Sequence, residues 1–418
     1  MNFSSDAITM VNRAEARAKA DFERIEETEL ITAERVLGAL QQERIQSRHF
    51  APTTGYGYDD IGRDALDRVF AHALQAESAL VRPQLINGTH AIFTALAGLT
   101  EPGDVILSAT GKPYDTLEEA IGIRGDAPQS LKRFGIRFEA VELTEAGKIR
   151  QEILREKITG LHPKIVYFQR SRGYAWRPSL HPEHDMAPVF EMVHAVSPDS
   201  IIMVDNCYGE FTTESEPLFY GADVMAGSLI KNPGGGLAPT GGYVAGREAL
   251  IDRIAQRLTV PGIGREAGSY MGDYRLFFQG LFLAPHVVAQ SLKGAALFGA
   301  MFELMGYDTL PASGAVRSDI IQSVRFRDPA KLIAFCRAVQ AASPIESDVV
   351  PEPWEMPGYA DPVIMAAGTF VQGATTELSA DGPVTEPYAA YLQGALTYSH
   401  AKLAARLVYD SLAGGRGE

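Results

Sequence analysis

The chain has 418 residues, 46% hydrophobic and 22% charged, an ordinary balance that excludes disordered and fibrous architectures and gives room for two to three domains. Its 52 acidic against 38 basic residues leave a net charge of -14, the opposite of what a nucleic-acid or anionic-membrane binder carries. No apolar run of about 18 residues spans a bilayer, the charged N-terminus lacks a secretory apolar core, and Cys207 and Cys336 are too few for a disulfide framework or a cysteine zinc site, so the expectation is a cytoplasmic protein.

Residues 1–50 read as helices, because Leu30, Ile31, Val36, Leu37, Leu40 and Ile45 recur at three- to four-residue steps among charges. From about residue 80 to 246, short apolar runs alternate with helical stretches. The runs are 80–86, 105–109, 136–143, 165–168, 201–204, 224–226 and 243–245. Nearly continuous apolar runs predict strands buried on both faces, and their alternation with helices predicts crossover units in a largely parallel sheet. Ligands of such sheets sit at the carboxyl ends of the strands. Residues 250–310 read as helical, with buried helices over 276–282 and 287–302. A strand over 319–326, a helix over 330–341, a proline-rich loop over 351–357, a strand over 363–370 and a helix over 386–413 predict a smaller α+β domain.

The chemistry-bearing residues fall at the ends of the predicted strands. Gly88 and Thr89 follow the first strand and open an apolar helix, where free N–H groups make either an anion site or a plain N-cap by Asn87 or Thr89. His90 beside them reads more readily as structural. Tyr114 follows the second strand and can stack on a flat ring or simply pack. Arg170 and Arg172, after the strand over 165–168, suit a carboxylate or phosphate, or a solvated loop. Asp205 ends the run 201–204, where it either caps the next turn or pairs with a cation. Lys231 lies one strand further, before Gly234, Gly235 and Gly236. It reads either as a surface lysine in a turn or, if partly desolvated, as an amine nucleophile of lowered pKa. Cys207 reads as a small buried filler. No metal site is predicted, since the histidines form no HxxxH or HxH pair. His181 and His184 only flank Pro182 in a loop. No G-x-G-x-x-G follows the first strand, which disfavours a nicotinamide dehydrogenase.

Taken in chain order, an anion cradle, a planar stacker, a carboxylate and a lysine resemble the aspartate-aminotransferase-type (fold type I) enzymes that use pyridoxal 5'-phosphate (PLP). Val204-Asp205-Asn206, Ser228-x-x-Lys231 and the Tyr114/Thr116 pair are similar to the cysteine/methionine lyases. The phrases beginning at Thr54, Gln169, Ser228 and Glu377 most resemble the methionine gamma-lyase-like group, also called the aluminium-resistance protein family. The resemblance covers residues 54–390. It implies an α/β fold with a mainly parallel seven-stranded sheet, helices on both faces and a smaller α+β C-terminal domain. The implied layout is a helical arm over 1–55 that packs with the small domain, a PLP-binding domain over 56–305 and the small domain over 306–418.

The same resemblance implies that Lys231 forms the Schiff base, that Asp205 holds the pyridine nitrogen and that Tyr114 stacks on the ring. Gly88, Thr89, His90 and Ser228 would bind the cofactor around its phosphate. Tyr56 or Tyr58 would reach a neighbouring subunit's phosphate, which implies a homodimer or homotetramer. The implied reaction is a methionine gamma-lyase or cystathionine beta-lyase type of elimination from a sulfur amino acid, giving 2-oxo acid, ammonia and thiol. Lys231 would be its general base and Tyr114 the acid for the thiolate. Amino-group transfer, aldol cleavage and a non-catalytic PLP-binding stress-response role use the same scaffold. Two departures stand out. Ile230 replaces the family's threonine before the lysine, and the stretch 366–373 lacks the substrate-binding arginine, leaving Arg170 or Arg172 to meet the substrate carboxylate.

Overall fold

All seven apolar runs become strands of one sheet in this computed structural model, which describes residues 2–356 and 361–414, so residue 357 of the proline-rich loop lies outside it. The chain opens with α1 (Ser5–Arg17), α2 (Lys19–Gln42) and α3 (Ile61–Ala73). It continues through β1 (Ser78–Arg82), α4 (Gly88–Leu99), β2 (Val105–Ser108), α5 (Asp115–Ile121), β3 (Arg137–Ala140), α6 (Gln151–Leu161) and β4 (Ile165–Gln169). Next come α7 (Ala187–Val196), β5 (Ile201–Asp205), β6 (Val224–Ser228), β7 (Gly242–Gly246), α8 (Glu248–Leu258) and α9 (Arg275–Leu304). The last part holds β8 (Asp308–Leu310), β9 (Ile321–Arg325), α10 (Pro329–Ala341), β10 (Val363–Ala366), β11 (Ser379–Pro383), β12 (Ala389–Gln393) and α11 (Tyr398–Gly414).

The large sheet runs β1-β7-β6-β5-β4-β2-β3. Four neighbouring pairs are parallel and only β7 runs against its neighbours, β1 and β6. Two reversals cancel, so β1 points the same way as β6. The carboxyl ends of β1, β2, β4, β5 and β6 therefore share one edge. Alternate residues serve opposite faces. Val81, Leu107, Val166, Ile202 and Met225 join one core with α3, α7 and α9. Leu80, Ile106, Ile165, Met203 and Ala226 join the other with α4 and α8. This two-sided burial is why the strands read as unbroken apolar runs.

The second sheet, β10-β11-β12-β9-β8, is antiparallel. Val324, Ile364, Ala380 and Leu392 bury one face with α9, α10 and α11. Its other face carries Ile321, Ala389 and Tyr391 against Tyr174, Trp176 and Tyr208 of the large sheet's loops. The predicted helix over 386–413 thus begins only at Tyr398. Ala389–Gln393 has good helix formers, yet pairing with β9 and β11 makes it a strand, and Gly394 at φ 78 ends it. The two helices predicted over 276–302 are one, α9, with Pro285 inside it. By length and composition α9 could cross a membrane, but 72% of its apolar window is buried within the protein. α1 and α2 lie along α9. The Tyr398 hydroxyl and Lys402 Nζ both donate to Glu15, at 2.8 and 2.7 Å, tying α1 to α11.

Two close contacts shape the edge where the strand ends meet. A Cβ on Gly280 of α9 would lie 2.3 Å from the Gly234 carbonyl oxygen, and one on Gly235 would lie 2.2 Å from that of Gly280. The glycines after Lys231 therefore seat α9 against the turn that carries the lysine. Beneath the same turn Glu210 is fully buried, accepting from the Tyr243 hydroxyl at 2.7 Å. Burial pushes Glu210 up to about 8, with the Tyr243 bond working the other way.

Gly280→Ala is expected to cost about 1–3 kcal/mol through overpacking, read as a lowered thermal midpoint. Glu210 holds its proton in the folded state at pH values where an unfolded carboxyl has lost it. Its contribution is complete below about pH 4 and is lost as pH rises through about 8. Glu210→Gln should therefore flatten the decline of the melting temperature between pH 6 and 9, while leaving stability at pH 5 little changed.

Candidate active site

The shared edge brings Gly88, Thr89, Tyr114, Asp205, Ser228 and Lys231 together. α4 starts at Gly88, with the Asn87 side chain accepting from His90 N at 2.9 Å and the Asn87 carbonyl accepting from Ala91 N at 3.1 Å. That leaves the N–H groups of Gly88 and Thr89 as the open donors of this helix end. Ser228, at the end of β6, is 1% exposed, and its Oγ is buried without a partner. A Cβ on Gly88 would lie 3.3 Å from Ser228 Cβ and 3.1 Å from Cys207 Sγ, so helix start and strand end are in direct apposition. An orphaned buried hydroxyl beside two open N–H groups and a positive helix end fits a phosphate. His90 contributes differently: its Nδ1 accepts from Ile86 N at 3.2 Å, closing the turn into α4.

Asp205 is 2% exposed. Its Oδ1 accepts from Cys207 N at 3.1 Å and its Oδ2 from the Tyr167 hydroxyl at 3.4 Å. Burial raises its pKa, while Lys231 and these donors act in the opposite direction. Tyr114 caps α5 and is half-buried. Its hydroxyl donates to Thr89 Oγ1 at 2.9 Å, and its backbone N–H donates to Gln169 Oε1 at 3.0 Å. Burial, then the nearby Asp205, hold its phenol well above the usual range, so it keeps its proton at neutral pH. The Lys231 ammonium sits 3.7 Å from the centroid of the Tyr208 ring. Burial by itself would lower the lysine's pKa as the sequence suggested, but Cys207, Tyr208 and Asp205 outweigh it and the pKa is raised.

The arginine expectation is corrected. Arg170 is fully buried and all its nitrogens are engaged. Nη1 donates to Asn206 Oδ1 and the Gly209 carbonyl at 2.8 and 2.9 Å, Nη2 to Thr212 and Thr213, and Nε to the Leu180 carbonyl. Arg172 is 2% exposed and pairs with Asp319 at 3.1 Å, with further bonds to the Leu310 carbonyl and Ser323. Both guanidiniums brace loops, and neither offers a donor to a substrate carboxylate. Tyr56 and Tyr58 stack on each other at 5.3 Å and are 70% and 58% exposed. His181, Glu183 and His184 bring potential metal-ligand atoms within 4.8 Å of one another at the entry to α7. Burial, then Arg170, push His181 down to about 4, and that same buried cation opposes a metal ion there.

Sequence reasoning missed three side chains of the site. Tyr208 follows Asp205 by three residues and adopts φ 71, a left-handed conformation unusual for a tyrosine and common at functional sites. Trp176 and Asp381 complete the wall opposite Lys231. Burial pushes Asp381 up to about 7, while a hydrogen bond from Tyr174 and the Lys231 charge pull it down. Asp381 belongs to the phrase beginning at Glu377, but no strand was visible there to give its side chain a direction.

Comparison with known proteins places this geometry in a lineage. The methionine gamma-lyase family model matches residues 7–413. The protein YnbB of Bacillus subtilis, uncharacterized, is 53% identical over 379 residues, 90% of each chain. A solved structure named a carbon-sulfur lyase involved in aluminum resistance, from Clostridium novyi, is 46% identical with a TM-score of 0.93, covering 97% of this chain and 96% of that one. The pyridoxal-5'-phosphate dependent protein YhfS of Escherichia coli, at 17% identity and a TM-score of 0.63, covers 93% and 97% and shows the fold alone, the fold type I arrangement. With the model matched along nearly its whole length, the chain belongs to the methionine gamma-lyase family.

Proposed function

We propose that the protein is a PLP-dependent carbon–sulfur lyase that takes a sulfur amino acid and one water to 2-oxo acid, ammonia and thiol. The observation that carries this reading is the orphaned Ser228 hydroxyl beside the open N–H groups of Gly88 and Thr89, with Asp205 and Lys231 at the neighbouring strand ends. The family match and the name of the Clostridium novyi relative support it.

In this reading Gly88, Thr89 and Ser228 would hold the cofactor's phosphate, Asp205 its ring nitrogen, Tyr114 its ring face and Lys231 its aldehyde group. When bound, the cofactor supplies an electron sink for the pair left by the Cα proton. Lys231, with its amine free, would remove that proton as general base. Expulsion of sulfur breaks the C–S bond, and Tyr114, which keeps its proton at neutral pH, donates it to the thiolate. Asp205 stays ionised opposite the cation it holds. Tyr58 is assigned to a neighbouring subunit's phosphate in a homo-oligomer, a role its surface position allows.

Wild-type protein incubated with PLP should show a visible absorption band that Lys231→Ala abolishes, along with release of 2-oxo acid from sulfur amino acids. A preparation that stays colourless with PLP added would sink the assignment. Asp205→Asn should keep the band and lower turnover by about a hundredfold or more, the loss expected when a charge that stabilises the transition state is removed. Ser228→Ala should weaken PLP retention on dialysis without changing the position of the band.

A further inference from the structure

A second cavity lies apart from the strand-end cluster. It holds about 300 Å³ and opens between α2 and the loops that follow β5 and β8. α2 contributes Asp21, Ile25 and Thr28, and the entry to α7 contributes His181 and His184. The loop after β5 adds Thr212, Thr213 and Glu214, and the segment before β9 adds Val316 and Arg317. None of Gly88, Thr89, Tyr114, Asp205, Ser228 and Lys231 lines it. The volume suits one small metabolite.

The inner wall of this cavity is positive. Arg317 lines it and is 7% exposed. Its Nη2 donates to Gln322 Oε1 at 2.7 Å, but its Nη1 is buried without a partner. Three carboxylates act on its charge, and each already holds another cation: Asp21 holds Arg24, Asp319 holds Arg172 at 3.1 Å and Glu303 holds Arg17 at 2.6 Å. Behind Thr212 and Thr213 stands the buried Arg170, whose Nη2 donates to both hydroxyls at 3.2 Å. A buried guanidinium nitrogen with no acceptor is costly, and an anionic group beside it removes that cost.

The rim has the opposite sign. Glu27, Glu183 and Glu214 line the cavity and are exposed, and among the described residues none of them forms an ion pair. His181 adds no charge at neutral pH, since burial and then Arg170 push it down to about 4. The cavity therefore offers one unspent base inside and three unspent acids outside. A simple anion would meet the acids, and a simple diamine would leave Arg317 unpaired. The complementary ligand carries one carboxylate and more than one ammonium group.

We propose that this cavity binds a free basic α-amino acid of the lysine or ornithine type, its carboxylate at Arg317 and its ammonium groups among Glu27, Glu183 and Glu214. The site is independent of the lyase reading and of any cofactor. Its ligand would touch α2, the turn over 212–214 and the segment over 315–317 together. Arg170 joins that turn to Asn206 and Gly209, at 2.8 and 2.9 Å, just beyond Asp205. Asp319, two residues past Arg317, holds Arg172. Occupancy thus fastens the N-terminal helix to the two arginine braces behind the strand-end cluster.

Titration calorimetry on the full chain should show saturable L-lysine binding, at least about tenfold tighter than cadaverine, which lacks the carboxylate, or L-norleucine, which lacks the second ammonium. Arg317→Gln should weaken L-lysine binding by about tenfold or more. Because Arg317 is buried, the Glu27→Gln/Glu214→Gln double variant, changed only at exposed positions, provides the second measurement and should lose a similar factor. Treatment with PLP and borohydride, which caps the lysine of a PLP site, should leave L-lysine affinity within about threefold, since Lys231 lies outside this cavity. The absence of saturable L-lysine binding, equal affinity for the three ligands, unchanged affinity in the double variant, or loss of binding after capping each overturns the proposal.

Discussion

A buried carboxylate at the end of a buried strand organises this molecule. Asp205 has 2% of its surface exposed, and two donors from the protein cover only part of its charge. A carboxylate in that position is costly unless a cation joins it. Lys231 is the cation the fold brings near, one parallel strand away. The surrounding parts keep that pair in place: Tyr167 and Cys207 on one side, and Tyr208 under the ammonium on the other.

The turn from Asn206 to Thr213 depends on a second buried charge. Arg170 bonds to four of its residues, and Glu216 lies 3.8 Å away. A side chain on Gly209 would put its Cβ 2.5 Å from Arg170 Nη1, so the turn closes around the guanidinium only because that residue is glycine. Arg172 does the corresponding task between the sheets, linking the loop after β4 to Asp319, Leu310 and Ser323. These arginines act through geometry. They orient Asp205, Tyr208, Tyr174 and Trp176 without offering a donor to the cleft.

Most of the large sheet was legible because its strands are buried on both faces, which turns a two-residue alternation into plain apolar runs. The strand-end residues followed, since parallel topology gathers carboxyl ends at one edge. The small sheet was harder. Ser379–Pro383 contains aspartate, glycine and proline and looks like a turn, yet it is the strand that aims Asp381. Ala389–Gln393 looks helical for the opposite reason. Arg170 and Arg172 followed a strand end as a ligand group would, and nothing local reveals that Asp319, 147 residues away from Arg172, is waiting for its charge. Gly234 and Gly235 signalled close approach, but the approaching backbone is α9 and not a ligand.

The protonation of Lys231 links these observations. Desolvation would make its amine a nucleophile at neutral pH, but nearby acidic groups prevent this, and its pKa is raised. Burial pushes up the pKa values of Cys207, Tyr208 and Asp205 alike, and Asp205 is the carboxylate among them. A cation taken up by Asp205 cancels that field where it matters. The desolvation of the lysine is then opposed less, and its amine loses its proton more readily. With Asp205 unneutralised Lys231 keeps its proton, and a cation opposite Asp205 would ease its loss.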